Sequence, residues 1–138
     1  MTIRSLAHVC IKSTDLDATA RFYCDELGLK RTFNFARKGK VIGFYMKTAN
    51  DTFVEVFLAD EVEKIAKQPL HHFCLETDDI QALRQSLVER GHTPGEIKLG
   101  ADDAWQFWIK DPNGLDIEFH QYTDKCSQFT GRDVEVDW

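Results

Sequence analysis

The strongest constraint in this chain is that it repeats itself. His8-Val9-Cys10-Ile11-Lys12-Ser13-Thr14-Asp15-Leu16-Asp17-Ala18 aligns without a gap on His72-Phe73-Cys74-Leu75-Glu76-Thr77-Asp78-Asp79-Ile80-Gln81-Ala82. Further along, Phe44-Tyr45-Met46-Lys47 aligns on Phe107-Trp108-Ile109-Lys110, Asn50 on Asn113, Glu55 on Glu118 and Gly28 on Gly91. One residue drops out between these two stretches, within the first helix of the repeat. A chain written twice folds as two like modules, and a residue that recurs in register is a candidate for a shared role. Each half supplies one histidine near its start and one glutamate near its end.

Periodicity gives the contents of each half. Residues 6–13 alternate as a strand, Thr14 and Asp15 supply a helix N-cap, and Leu16, Ala20, Tyr23 and Leu27 recur at helical spacing up to Gly28. Residues 30–37 form a second strand, Lys38-Gly39-Lys40 a turn, and 41–47 with 52–58 a hairpin around Ala49-Asn50-Asp51. The second half repeats this order. A strand over 70–76 leads to a helix capped by Asp78 and carrying Ile80, Leu83 and Leu87, stopped by Gly91. A weak strand lies within 92–99, and strands over 105–110 and 115–121 pair around Asp111-Pro112-Asn113-Gly114. The expectation is one α+β domain over 1–138, made of two β-α-β-β-β modules forming a cupped mixed sheet around a metal site. Module 1 covers about 4–58, a linker 59–69, module 2 about 70–122 and a patternless tail 123–138.

Strand alternation sorts side chains onto faces. His8 shares a face with Cys10 and Lys12, His72 with Cys74 and Glu76, Glu55 with Phe53 and Phe57, and Glu118 with Asp116 and His120. Helices cover one face of each sheet, and the other carries the repeated polar residues. Two imidazoles and two carboxylates, His8, Glu55, His72 and Glu118, suit one divalent nickel, zinc, cobalt, manganese or iron ion. Cys10, Lys12, Phe53, Phe107 and His120 are candidate substrate contacts, with Phe57 and Trp105 as further apolar wall. His71 is expected to turn toward the helix layer, away from His72, as a structural residue.

A net charge of −6 and aromatics that do not alternate with a basic stripe argue against nucleic acid as partner. No apolar run approaches the roughly 20 residues of a membrane span. The N-terminus runs straight into a strand pattern, without a signal peptide. The four cysteines form no C-x-x-C pair, which fits a reducing cytoplasm. The expected partner is a small molecule.

The ordered set His8, Asp15-Leu16, Arg21-Phe22-Tyr23, Leu27-Gly28-Leu29 and Asp111-Pro112-Asn113-Gly114-Leu115-Asp116-Ile117-Glu118 resembles the vicinal oxygen chelate superfamily. That superfamily includes glyoxalase I, extradiol dioxygenases, methylmalonyl-CoA epimerase, and fosfomycin and bleomycin resistance proteins. The order His, Glu, His, Glu looks most like bacterial glyoxalase I. The resemblance implies metal ligands at His8, Glu55, His72 and Glu118. It implies a lyase or isomerase that removes a proton next to a metal-bound carbonyl through an enediolate, with Glu118 as first choice of base and Glu55 as second. It also implies a homodimer. Lys12 stands where the resembling lyases carry arginine, and Ala59 where they often carry asparagine. Three other readings stand beside this one. They are a thiol transferase of fosfomycin-resistance type using His8, His72 and Glu118, an Fe(II) extradiol dioxygenase, and a metal-free binding module.

Overall fold

Strand, helix and three further strands follow one another twice along the chain. A computed structural model gives the structure over residues 6–50, 52–59 and 70–134. The expected linker beyond Ala59, Asp51 of the hairpin turn, the N-terminal residues 1–5 and the tail beyond Val134 lie outside the described residues. The chain divides into two compact units, Met1–Gln68 and Pro69–Trp138.

The first unit holds β1 (His8–Ser13), α1 (Leu16–Ala20) continuing as a π-helical segment (Arg21–Glu26), β2 (Lys30–Arg37), β3 (Lys40–Lys47) and β4 (Phe53–Leu58). The second holds β5 (His72–Glu76), α2 (Ile80–Glu89), β6 (Lys98–Leu99), β7 (Trp105–Lys110), β8 (Asp116–Gln121) and a short α3 (Ser127–Thr130). The two sheets have the same order, β1-β4-β3-β2 and β5-β8-β7-β6. In each, the first strand runs parallel to the last, and the remaining pairs are antiparallel. Both expected β-α-β-β-β modules are therefore present.

The helices start as local chemistry dictates. Asp15 Oδ1 accepts from the Ala18 N–H at 2.9 Å, and Asp79 Oδ1 accepts from the Ala82 N–H at 2.9 Å, each closing an orphan donor of the first turn. The second cap is thus Asp79, the repeat partner of Asp15, and not Asp78. Both helical stretches are followed by a glycine in the left-handed region, Gly28 at φ 77° and Gly91 at φ 88°. The residue that module 1 has in excess is absorbed between these points. The Leu27 N–H donates to Phe22 C=O at 3.0 Å, a five-residue span. A π turn is how a helix accommodates one inserted residue without losing its ends. It buries Phe22 and Tyr23, whose rings meet edge to face at 5.1 Å.

Alternation places the cores. In β4, Val54 and Val56 are buried while Phe53, Glu55 and Phe57 are half-buried on the other face. In unit 2, Phe107, Ile109, Ile117 and Phe119 are buried, and α2, with Ile80 and Leu87 inside, packs on β7 and β8. The strand expected within 92–99 shrinks to Lys98–Leu99. Pro94 has no N–H to give a ladder, and the carbonyls of Pro94 and Gly95 accept from Arg84 at 3.4 and 2.7 Å instead.

The tail is ordered chemistry despite its lack of pattern. Cys126 is fully buried. The Ser127 N–H donates to Asp102 C=O at 2.8 Å, Gln128 Nε2 donates to Asp102 Oδ2 at 2.6 Å, and Arg132 pairs with Asp103 at 2.6 Å. Among the described residues no helix is long and apolar enough to cross a membrane.

The turn before β8 sets the register of the last hairpin. Asp111, only 5% exposed, accepts at Oδ1 from the N–H groups of Asn113 (2.8 Å) and Leu115 (2.9 Å). Its Oδ2 accepts from Asn113 Nδ2 at 3.1 Å, and Gly114 takes φ 81°. Replacing Asp111 with Ala leaves two backbone donors unmet. It should lower stability by about 2 kcal/mol, read as an earlier urea midpoint at unchanged slope; an unchanged midpoint would show that the turn holds without the carboxylate.

Candidate metal centre

Parallel pairing brings the repeated residues together within each unit. Cys10 lies opposite Glu55 across β1 and β4, and Cys74 opposite Glu118 across β5 and β8. Each histidine stands one step diagonal to its glutamate. His8 Nε2 is 3.9 Å from Glu55 Oε2 in unit 1, and His72 Nε2 is 3.4 Å from Glu118 Oε2 in unit 2.

A third residue recurs with each pair. Tyr45 is the cross-strand neighbour of Glu55, and Trp108 that of Glu118. His8 meets the Tyr45 ring edge-on at 5.7 Å, and His72 meets Trp108 edge-on at 4.6 Å. The repeated unit is therefore a histidine, a glutamate and an aromatic ring on three adjacent strands. The signal was present in the sequence. Tyr45 aligns on Trp108, and counting back from the Asp111-Pro112-Asn113-Gly114 turn pairs Lys110 with Asp116 and hence Trp108 with Glu118.

Unit 2 adds a tighter group. Ligand atoms of Cys74, Glu118 and His120 all lie within 4.8 Å of one another. Glu118 and His120 are each only 8% exposed. His120 Nε2 is buried without a satisfied hydrogen bond, although Glu118 Oε1 lies 3.0 Å away. Two donor atoms about 2.1 Å from one ion at a right angle stand about 3.0 Å apart. A buried imidazole nitrogen 3.0 Å from a buried carboxylate oxygen thus has the spacing and chemistry that a divalent ion can satisfy. Cys74, Glu118 and His120 fit a single divalent metal, with His72 on the second oxygen of Glu118. In module 1 the position aligned with His120 is Phe57, so the corresponding face there lacks that ligand.

The surrounding charges are consistent. The Glu118 carboxylate raises His120 above the ordinary imidazole range, against the lowering effect of burial, and Asp102 adds to the rise. Although Cys74 keeps surface exposure, the protein around its sulfur pushes the thiol up to about 12, with Glu118 adding to the effect. Burial and Glu55 push Cys10 to about 11. Both are thiols near neutral pH unless a cation deprotonates them. Burial works against ionisation of Asp102, yet hydrogen bonds from Gln128 and the Ala104 N–H, with His120 nearby, hold it below the usual carboxylate range. The tail thereby fixes an anion beside the His120 side of the group.

Three expectations change. Phe107 is 1% exposed and stacks on Phe119 at 4.9 Å, so it belongs to the helix-side core and is no substrate contact. Its partner is Phe119 and not Glu118, because the hairpin register gives the glutamate face to Gln106 and Trp108. Trp105 shares the parity of Phe107 and likewise leaves the candidate wall. His71 does not turn away from His72. It precedes β5, where two-residue alternation does not apply, and its Nδ1 is 2.8 Å from His72 Nδ1. A proton shared between these two Nδ1 atoms makes His71 an outer partner that can set the His72 tautomer and leave its Nε2 available. Of the remaining candidates, Cys10 and Lys12 lie exposed on the His8 face, and on β4 Phe53 stands opposite His8 and Phe57 opposite Lys12.

Residues 5–119 match the model of the Glyoxalase/Bleomycin resistance protein/Dioxygenase superfamily. The chain is 30% identical over 132 residues to an ethylmalonyl-CoA/methylmalonyl-CoA epimerase of Cereibacter sphaeroides, covering 86% of this chain and 98% of that protein. Among solved structures, a lactoylglutathione lyase from Agrobacterium tumefaciens superposes with a TM-score of 0.68 at 19% identity, over 88% of this chain and 96% of that one. An antibiotic binding protein from Streptomyces gives 0.68 at 21% identity, over 89% and 99%. At such identities the last two share the fold.

Two substitutions test the centre. His120→Phe installs the residue that module 1 carries there, and should weaken divalent-metal binding at least about tenfold in a calorimetric titration, with an unchanged unfolding midpoint in the metal-free protein. His71→Ala should weaken it by a similar factor, roughly tenfold, with His71→Asn restoring part. Equal affinity in either variant removes that residue from the centre.

Proposed function

The chain belongs to that superfamily, whose general chemistry is metal-assisted transformation of a small molecule, and on this premise we propose that it is a metal-dependent isomerase or lyase that moves a proton at a carbon next to a carbonyl. The proposed ligands are His8, Glu55, His72 and Glu118, for one nickel, zinc, cobalt, manganese or iron ion, a set of four that leaves positions open to substrate oxygens, with Cys74 and His120 beside Glu118 as alternative ligands on the second module. Bound there, such an ion supplies charge withdrawal from substrate oxygens, which acidifies the adjacent C–H.

The residues of the chain do the rest. Glu118 is the proposed base. It is buried, with an imidazole nitrogen near each oxygen, so its position is set before substrate arrives and water competes little for it. Glu55 is the second carboxylate, held by His8 at 3.9 Å. His71 and the Trp108 ring orient His72, and Tyr45 does the same for His8.

Within this class we favour epimerisation over the glyoxalase I reaction. Inverting a carbon needs a proton taken from one face and returned to the other, and the repeat supplies two carboxylates in matched positions. The relative at 30% identity bears the name of an epimerase of branched malonyl thioesters. Lys12, a point charge, replaces the arginine fork that the resembling lyases use on a dicarboxylate cosubstrate. The single observation that carries the reading is the repeated histidine–glutamate pair, with its second copy extended to a buried ligand group. The proposed working form is a cytoplasmic homodimer; all four cysteines are free, which suits a reducing compartment.

The test is hydrogen exchange. Protein loaded in turn with each candidate metal is incubated with methylmalonyl-CoA in D₂O, and loss of the C2 proton is followed by NMR. Exchange in the wild type should fall about 100-fold or more in Glu118→Gln, compared at metal concentrations that keep the variant loaded. No exchange with any metal, alongside turnover of methylglyoxal and glutathione, would replace the epimerase by the lyase. Undiminished exchange in Glu118→Gln would remove Glu118 as base.

A further inference from the structure

The open face of the first module's sheet is paved with rings. Phe33 stacks on Tyr45 at 4.8 Å, and Tyr45 stacks on Phe53 at 5.0 Å. Phe35 leans on Phe57 at 4.7 Å, and Phe33 meets Phe35 edge-on at 5.3 Å. Five rings from β2, β3 and β4 thus form one shelf, about 10 Å across at ordinary strand spacing. Phe33 remains 49% exposed, and Phe35, Tyr45, Phe53 and Phe57 are half-buried.

Two details show how the shelf is kept continuous. Gly43 lies between Phe35 and Phe57 in the register. A Cβ there would come within 2.4 Å of Val56 C=O and 2.8 Å of the Phe57 ring, so the gap that lets the two rings meet requires glycine. Cations then mark the rim. Lys12 Nζ lies 5.3 Å from the Phe57 ring centre and Lys47 Nζ 6.0 Å from that of Phe53.

The fold itself does not ask for these rings. In the second module, the residues aligned with Gly43, Phe53 and Phe57 are Gln106, Asp116 and His120, and the same four-stranded sheet forms around them. Tyr45 alone keeps an aromatic partner, Trp108, the ring that touches the histidine in each copy. Around the histidine–glutamate pair that both modules keep, one module carries Asp116, His120 and Gln106 on this face, and the other a flat apolar surface bordered by positive charge.

We infer that the ring shelf of module 1 binds a planar aromatic, negatively charged portion of the substrate, its π face on Phe57, Tyr45 and Phe53 and its anionic group toward Lys12. Stacking on offset rings selects flat over saturated groups, and a rim ammonium selects an anion. A small branched acyl group would cover little of such a surface. The inference rests on the reading above only in placing the shelf beside His8 and Glu55. Its test needs neither metal nor turnover, so each can fail alone.

The probes are 2-naphthoate and its saturated analogue decahydro-2-naphthoate, titrated by calorimetry into the metal-free full chain. Wild type should bind the naphthoate about tenfold or more tightly over the saturated acid. Phe57→Leu, which keeps the sheet's apolar volume, should remove that preference. Lys12→Gln should weaken the naphthoate severalfold and leave neutral naphthalene-2-methanol unaffected. Circular dichroism checks that each variant folds, and Val41→Thr serves as a substitution outside the shelf that should change nothing. Equal affinity for flat and saturated acids, or no binding of either, overturns the inference. So does a finding by sedimentation that Phe33→Ser converts a dimer to a monomer without altering naphthoate binding, since the shelf would then be a contact with a second copy.

Discussion

The parallel pairing of the first strand of each module with its last is what everything at the site depends on. A parallel neighbour cannot be reached by a tight turn, so the chain must leave the sheet, and here it leaves through a helix. That helix covers one face and makes the core; the uncovered face is left for chemistry. The same pairing sets Cys10 against Glu55 and Cys74 against Glu118, with each histidine one step away. Shifting β8 by one residue would send Glu118 into the core and Ile117 outward. The Asp111 turn, with its buried carboxylate tying down two backbone N–H groups, is therefore as much part of the site as the ligands. It fixes the count from which Glu118, Trp108 and His120 take their side.

Duplication followed by divergence explains the difference between the faces. Both copies keep the histidine, the glutamate and the ring against the histidine. Around that shared triplet, module 1 has aromatic residues and module 2 has Asp116, His120 and Gln106. Lys110 answers Asp116 at 2.7 Å, so the acid nearest the β7–β8 turn is neutralised locally. Glu118 is met instead by two imidazoles, His72 and His120.

Much of this was legible in the sequence, because the repeat supplies a second reading of each element. The order β-α-β-β-β, the capping aspartate and the glycine stops are local signals written twice. Periodicity also said which residues share a face. What it could not say is which face that is: Phe107 and Trp108 are both aromatic, and only the pairing with β8 decides that Phe107 goes to the core. His71 failed for a related reason, since alternation was applied one residue before the strand begins. The tail escaped because a helix of four residues makes barely one turn, too few for a periodicity to show, and because its anchor, Asp102, is a loop residue. The extra residue in the first helix was visible as a change of alignment, but only the Leu27 to Phe22 hydrogen bond identifies it as a π turn.

A carboxylate that is 8% exposed must be compensated where it lies, since burial strips the water that would otherwise solvate its charge. Glu118 is surrounded by two imidazoles and by a thiol pushed up to about 12. Asp102, kept ionised by the tail's hydrogen bonds, adds negative charge nearby. One response is to protonate His120, and Glu118 raises that imidazole's hold on its proton. A divalent ion would answer the same demand, because Nε2 of His120, a carboxylate oxygen of Glu118 and the Cys74 sulfur lie close enough to hold one together. The pull toward positive charge is thus built into the packing of β5 and β8, and the loop and tail around Asp102 strengthen it from outside the sheet.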